Sequence, residues 1–289
     1  MSNATKTLCN RVAIAFDFDD TLVPDTFDLL IKDLGHDPQT FRTERYEPMK
    51  QSGWDGIPAR FYALSEAAKA QSNPDKRFTQ KYLQQFGQQL QPFPGVIEMF
   101  DRLRQSAHAI DPEIEVEFYL ITSGFIEIAR HSSIADCFKA MWGCEFHYND
   151  KGEAICLKRI LSHPEKTRYL YYISKGIDHH SEDNLLFVYQ DVPEDELHVP
   201  LSQIIYTGDG TSDLPCFHLL NQEKGTALGV YPEGSAEDWA SEYEVSASQR
   251  IANLAPADYS EGSELMRSLI LAVESVCKKI QLRQLSVNE

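Results

Sequence analysis

The sequence predicts an α/β fold: a parallel sheet flanked by helices, with a helical domain inserted after the first strand. Three observations carry this. Val12 to Phe16 is an apolar, strand-length run that empties into Asp17, Asp19 and Asp20. From Val96 onward, strand-like apolar runs alternate with amphipathic helical ones, the pattern of a parallel sheet with crossover helices. Between these stretches the chain is polar, helix-periodic and broken by Gly and Pro. Residues 1–24 and 92–289 are accordingly assigned to the core domain, and 25–91 to the helical insertion.

In the insertion, apolar spacing predicts helices around Phe27–Leu34, Arg60–Ala68 and Phe78–Leu90, separated by breakers such as Gly35, Pro38, Pro48, Gly53, Pro58 and Pro74. Pro92-Phe-Pro-Gly95 reads as a stiff return to the core. A helix then begins at Val96, a second strand spans Val116–Thr122, and a helix follows over Phe125–His131. Lys139–Tyr148 reads as a third strand, with a turn at Asn149–Gly152 and a short extension through Cys156. Ser162 with Glu165 three residues on forms a capping-box signature, which puts Lys166 in the first turn of a helix ending at Gly176. Residues 177–200 read as a polar, acidic, partly mobile excursion. Strands are expected at Leu201–Thr207 and Gly225–Tyr231, a helix at Leu214–Leu220, a short helix at Asp238–Tyr243 and a long amphipathic helix from Ser260 to about Gln284.

At 289 residues with 42% hydrophobic and 25% charged side chains, the chain has the composition of a globular protein. Its net charge of -17 disfavours nonspecific binding to nucleic acid or to an anionic membrane, and means that an anionic substrate needs a metal or a few placed cations. The six cysteines show neither C-x-x-C pairing nor zinc spacing with histidine, and no apolar run approaches membrane-spanning length; a reducing cytoplasm is the expected setting.

Asp17 and Asp19 end a buried strand one residue apart, where open α/β sheets place their ligands. Two close carboxylates repel unless a cation lies between them, and a hard metal ion, Mg2+, suits oxygen donors. Thr122, Lys166, and Asp209 with Asp213 stand at other strand or helix ends, so a parallel sheet can gather all of them on one edge. Lys158 is the rival to Lys166. A cation in a first helical turn opposes the helix dipole, which gives Lys166 the stronger claim to a functional role.

In order and spacing, Asp17-Phe-Asp19-Asp-Thr21, Thr122-Ser-Gly-Phe125, Lys166 and Gly208-Asp-Gly-Thr-Ser-Asp213 resemble the four motifs of the haloacid dehalogenase superfamily. The insertion resembles the helical cap of its phosphoserine-phosphatase-like members. The resemblance implies a Rossmann-like sheet and a Mg2+-dependent phosphatase acting on a small phosphorylated metabolite through an aspartyl-phosphate. By position, it makes Asp17 the nucleophile, Asp19 the acid and base, Thr122, Ser123 and Gly124 phosphate ligands, and Lys166 a catalytic and phosphate-neutralising cation. Asp17, the Asp19 carbonyl and Asp209 would hold the metal, with Asp213 as a further ligand or an orienter.

Arg42, Arg45, Lys50 and Arg60 read first as solvated charges. The alternative is that they select an anionic substrate tail, as cap residues of this family do, and Arg60 is retained as a substrate-binding candidate. Trp54 reads either as insertion core or as a substrate-facing aromatic. His131, His147, His163, His179 and His180 have no ligand spacing and read as surface or core residues. Ser123 stands where phosphoserine phosphatases carry glycine, so phosphoserine itself is not implied. Two other functions fit the same motifs, a phosphomutase and a non-catalytic protein that binds a phosphorylated ligand. Oligomeric state is left open.

Overall fold

A computed structural model describes residues 9–73, 76–179, 182–232 and 251–287. The expected helix at Asp238–Tyr243 lies outside them. Seven strands form one sheet: β1 (Arg11–Phe16), β2 (Glu115–Phe125), β3 (Ala140–Tyr148), β4 (Ala154–Arg159), β5 (Ile204–Gly208), β6 (Thr226–Tyr231) and β7 (Asn253–Pro256), in the order β4-β3-β2-β1-β5-β6-β7. All pairs are parallel except β3 with β4. β1 lies between β2 and β5, so the chain leaves it toward both sides of the sheet, and a crevice opens at the strand ends there.

Two of these strands were not expected. β4 is the return arm of a hairpin on β3, half exposed, so its apolar signal is weak. β7 is four residues long, ends in Pro256 and sits at the other edge, where proline is tolerated. β2 runs on to Phe125, leaving only Ile126–Ala129 of the expected helix.

The helices between β1 and β2 begin with α1 (Thr26–Asp33), continue through short turns over residues 38–51, and end with α2 (Gly56–Lys69) and α3 (Gln80–Gln89). The chain then enters α4 (Val96–Ile110). Later come α5 (Lys166–Lys175), α6 (Leu214–Gln222) and α7 (Glu264–Val287).

Alternation along β2 covers both sheet faces. Phe118 meets Phe100 of α4 edge-on at 4.9 Å, while the next residue, Tyr119, stacks at 5.9 Å on Trp142, which in turn touches Tyr169 of α5. Val12 to Phe16 are fully buried, as a strand covered on both sides must be. The Pro92–Gly95 return is pinned by Phe93 N–H to the Leu22 carbonyl at 2.9 Å and by Tyr259 N–H to the Pro94 carbonyl at 2.8 Å. Gly95 has φ 76°, and a Cβ there would lie 2.3 Å from Tyr259 backbone atoms, so no other residue fits.

The insertion is stitched to the β3–β4 hairpin. Gln80 N–H donates to the Gly152 carbonyl at 2.8 Å and Ala154 N–H to the Phe78 carbonyl at 2.9 Å, over a cluster of Phe61, Phe78, Phe125 and Phe146. The described part of 177–200 is also anchored. Lys175 donates to the carbonyls of Phe187, Val188 and Gln190, so it does more than cap a helix end, and Val199 is fully buried.

His198, from this same excursion, donates to Glu117 on β2 at 2.7 Å, alongside Lys139 at 2.5 Å and Tyr119 at 2.6 Å. Burial alone would raise the Glu117 carboxyl, but the three donors hold it down at about 2. A folded-state value below the ordinary 4.5 means that Glu117 stabilises the fold above that pH, and loses the contribution as pH falls toward 2. After allowance for its partial contact with water, the contribution is on the order of 2 kcal/mol. Thermal melts of Glu117→Gln should therefore show lower stability than the wild type at pH 7 and a gap that closes between pH 4.5 and pH 2.

Candidate active site

The site begins at the end of β1. Asp17 N–H donates to the Thr207 carbonyl at 2.9 Å, extending the β1–β5 ladder by one rung and placing Asp17 beside the end of β5. The chain then turns sharply: Leu22 N–H returns to the Phe18 carbonyl at 2.9 Å, and Asp20 adopts φ 52°, a left-handed conformation that aspartate tolerates. This turn aims the Asp19 carboxylate at the first residues of α1, where Oδ1 accepts from Thr26 N–H at 2.8 Å. Asp20 and Asp25 complete the turn, Asp20 Oδ1 accepting from Asp25 N–H and Asp25 capping α1 through Phe27 N–H.

At the end of β2, Thr122 is buried and its Oγ1 accepts from Gly124 N–H at 2.8 Å. Of the two backbone donors expected to meet phosphate here, that of Gly124 thus already has an acceptor. Glycine at 124 is a steric requirement, because an added Cβ would stand 2.3 Å from Asp19 Oδ2. The turn after β1 and the last residues of β2 therefore touch through this residue.

Lys166 opens α5 and is entirely out of water. Its ammonium spends its three hydrogens on Asp17 Oδ2 at 2.7 Å, Asp213 Oδ1 at 2.6 Å and Ser212 Oγ at 3.1 Å. Ser162 and Glu165 do pair, through Glu165 Oε2 and Ser162 N–H at 3.1 Å, but the segment between them is a turn and helical hydrogen bonding starts only at Lys166. Lys158, the rival, lies on β4 and pairs with Glu145 at 3.1 Å, far from this cluster in role and exposure.

Asp17, Asp209 and Asp213 converge, with one oxygen from each lying within 4.8 Å of the others. Three carboxylates around one point, with oxygen donors only, fit a hard divalent cation such as Mg2+. Asp19 offers its carboxylate elsewhere, to α1. Burial pushes the Asp17 carboxyl up to about 7; Lys166 opposes the rise, while Asp213 and Asp19 add to it. Asp19 is raised to about 6 by burial and by the neighbouring charge of Asp25. Asp209 is raised by burial and by Asp17 and Asp213, whereas Lys166, despite its burial, is raised by the two carboxylates.

A cleft of about 110 Å³ opens over these groups, lined by Asp17, Asp19, Asp20, Asp25, Thr122, Ser123, Gly124, Asp209 and Ser212 from the core side, with Arg60 and His163. Among the described residues its lining is polar, and Phe27, Ile57 and Phe125 wall a smaller cavity that adjoins it at Asp19, Asp25 and Arg60. Arg60 comes from α2, and among the four insertion cations considered from sequence it alone reaches the cleft. Arg42 pairs with Asp25 and Asp28, while Arg45 and Lys50 lie over the rings of Phe41 and Tyr46. Trp54 packs on Tyr62 at 5.3 Å, away from the cleft lining. A larger groove of about 510 Å³, between α2 and the hairpin, contains none of the motif residues.

Sequence reasoning missed Asp25, Ser212 and His163 as lining residues. The first two stand within eight residues of motif aspartates, and His163 is three residues before Lys166, but their pattern alone separates none of them from ordinary turn residues. It also missed the role of the C-terminal segment, whose buried Tyr259 donates to the Thr21 carbonyl at 2.9 Å and packs on Phe16.

Residues 14–110 match the family model of haloacid dehalogenase-like hydrolases. A protein of Borreliella burgdorferi, itself uncharacterised, is 26% identical over 294 residues, covering 94% of this chain and 98% of its own. Among solved structures, a haloacid dehalogenase family hydrolase from Salmonella enterica is similar with a TM-score of 0.54 at 14% identity, over 80% of this chain and 65% of its own. A probable phosphoserine phosphatase from Vibrio cholerae is similar with a TM-score of 0.55 at 14% identity, over 93% of this chain and 66% of its own. The chain thus spans about two thirds of the length of these two solved proteins.

Replacing Lys166 by Met should leave Asp17 and Asp213 buried without their cation, and lower stability by about 3–5 kcal/mol at pH 8 in urea titrations. Because Lys166 opposes the rise of the Asp17 carboxyl, its loss lets burial push Asp17 higher still, so the unpaired carboxylate is neutralised by a proton as pH falls and the deficit should shrink at pH 5.5.

Proposed function

We propose that this chain is a haloacid dehalogenase-like hydrolase, a Mg2+-dependent phosphatase that cleaves a small phosphomonoester metabolite through an aspartyl-phosphate at Asp17. The observation that carries the reading is the buried Lys166 ammonium 2.7 Å from Asp17, a carboxylate that itself lines a cleft of polar residues. A structural salt bridge needs no opening to water, no third carboxylate beside it and no threonine at the neighbouring strand end. A site that must bring a carboxylate and a phosphate dianion together needs all of these.

In this reading a carboxylate oxygen of Asp17 attacks phosphorus in line with the ester oxygen, forming the O–P bond of the acyl phosphate as the ester P–O bond breaks. Asp19 gives its proton to the departing alkoxide. Its raised value of about 6 keeps a proton available near neutrality. Asp19, now ionised, takes a proton from water as that water attacks the phosphoryl group, which releases phosphate and restores Asp17. Thr122 Oγ1 accepts from Gly124, which leaves its own hydrogen to donate to a phosphate oxygen. Lys166 offsets charge on Asp17 and on the phosphoryl group throughout.

Asp17, Asp209 and Asp213, with the Asp19 carbonyl, are the residues that would hold Mg2+, which when bound supplies charge neutralisation between the anionic nucleophile and phosphate. Residues 25–91 act as a cap, and Arg60 at the cleft offers a cation to an anionic group on the non-phosphate part of the substrate. The small volume and polar lining of the cleft favour a compact metabolite.

Phosphate release from a panel of small phosphomonoesters should require Mg2+ and stop with EDTA. Asp17→Asn should lower kcat by at least about 10³-fold. Arg60→Ala should raise KM about tenfold for phosphomonoesters whose non-phosphate part is anionic, with little change for those whose non-phosphate part is neutral. A folded protein that releases phosphate from no member of the panel, yet moves label between sugar phosphates, would establish a mutase instead.

A further inference from the structure

The reaction above makes no use of Tyr206, a fully buried residue in the middle of β5. Its ring packs edge-on against Phe217 of α6 at 5.9 Å, a contact that phenylalanine would make equally well. The hydroxyl is what distinguishes it, and a hydroxyl in such a place is costly unless it has an acceptor. That acceptor is Asp213 Oδ1, at 2.6 Å, the same oxygen that accepts from Lys166 at 2.6 Å.

Asp213 is thereby enclosed. Oδ1 is shared by two donors, while Oδ2 accepts from Gly210 N–H at 3.3 Å and lies so close over Gly208 that a Cβ there would be 2.3 Å away. One oxygen is thus fixed by side chains, and the other is turned toward the glycine turn that carries Asp209. Without the Tyr206 hydroxyl, Oδ1 would have Lys166 as its one side-chain donor. The carboxylate would then lose one of its anchors and tilt, and the ammonium would be drawn toward it and away from Asp17.

We propose that Tyr206 is a positioning residue: its hydroxyl holds Asp213 in one orientation, which sets the geometry of the Asp17–Asp209–Asp213 cluster for a divalent cation and keeps Lys166 divided between Asp213 and Asp17. The proposal rests on the metal-dependent reading of the site given above. It places the influence of Tyr206 on cation affinity and on kcat rather than on substrate affinity, because Tyr206 does not line the cleft.

The test is Tyr206→Phe, with Phe217→Leu as a variant that disturbs the same ring contact and spares the hydroxyl. Mn2+ binding is read directly by electron paramagnetic resonance, with no turnover required, and phosphate release is followed in parallel. Tyr206→Phe should weaken Mn2+ binding about tenfold and lower kcat by a similar factor, with substrate KM within about twofold. Phe217→Leu should lower the melting temperature and leave the Mn2+ Kd unchanged. Wild-type Mn2+ affinity in Tyr206→Phe, or an equal loss of affinity in Phe217→Leu, would overturn the positioning role and assign Tyr206 to packing. A wild-type protein that binds no Mn2+ would instead overturn the metal-dependent reading, and this proposal with it.

Discussion

A lysine ammonium completely removed from water is the constraint on which the rest of this site depends. Taking Lys166 out of solvent costs several kcal/mol, and the cost is offset only if its hydrogens all find acceptors in good geometry. Asp17, Asp213 and Ser212 provide them. They come from two different loops, after β1 and after β5, and the lysine comes from a third element, α5. The three cannot be arranged independently. Adjacent parallel strands fix the first two, through the ladder that runs from Ala13–Ile204 to Phe16–Thr207 and on to Asp17. The packing of α5 against β2 and α6 brings in the third.

The same economy explains why so many distant parts of the chain meet around so small a cleft. Tyr259, some 240 residues from Asp17, holds the Thr21 carbonyl in the turn that aims Asp19. Gly124 lets the β2 loop close onto Asp19 without a side chain between them. Gly95 lets the C-terminal segment lie directly on the return from the insertion. Each contact is ordinary alone. Together they leave the carboxylates with one arrangement, crowded enough that burial and mutual repulsion raise Asp17, Asp19 and Asp209 together.

Where the sequence was legible, a strong local signal coincided with a global role. The continuous apolar run of β1 could be read because both faces of that strand are buried, and the glycine-flanked Asp209 turn because few structures other than a ligand loop need that spacing. The lysine could be separated from Lys158 by its place against the helix dipole. Partner choice was not legible. Nothing in Arg42, Arg45, Lys50 and Arg60 distinguishes the one that reaches the cleft from those occupied by Asp25, Asp28 and aromatic rings, since that depends on which face of each short helix is turned inward. His163 and Tyr259 were missed for the same reason: their meaning comes from elements far away in sequence. β4 and β7 escaped because edge strands carry half the burial, and so half the pattern.

The two main-chain hydrogen bonds that tie Phe78 and Gln80 to the β3–β4 hairpin bear on how this architecture can be recombined. A domain inserted through two crossings of the chain is, in principle, exchangeable between relatives at those crossings. Here the boundary in space does not follow the boundary in sequence, because residues 149–154 of the core complete the edge of the insertion and share its aromatic cluster through Phe146. A chimera cut only near residues 25 and 91 would inherit an insertion with an unpaired backbone edge and a core with a hairpin that had lost its lining. The unit of exchange is the insertion together with the hairpin, two pieces of chain nearly 50 residues apart that evolution has to change in step.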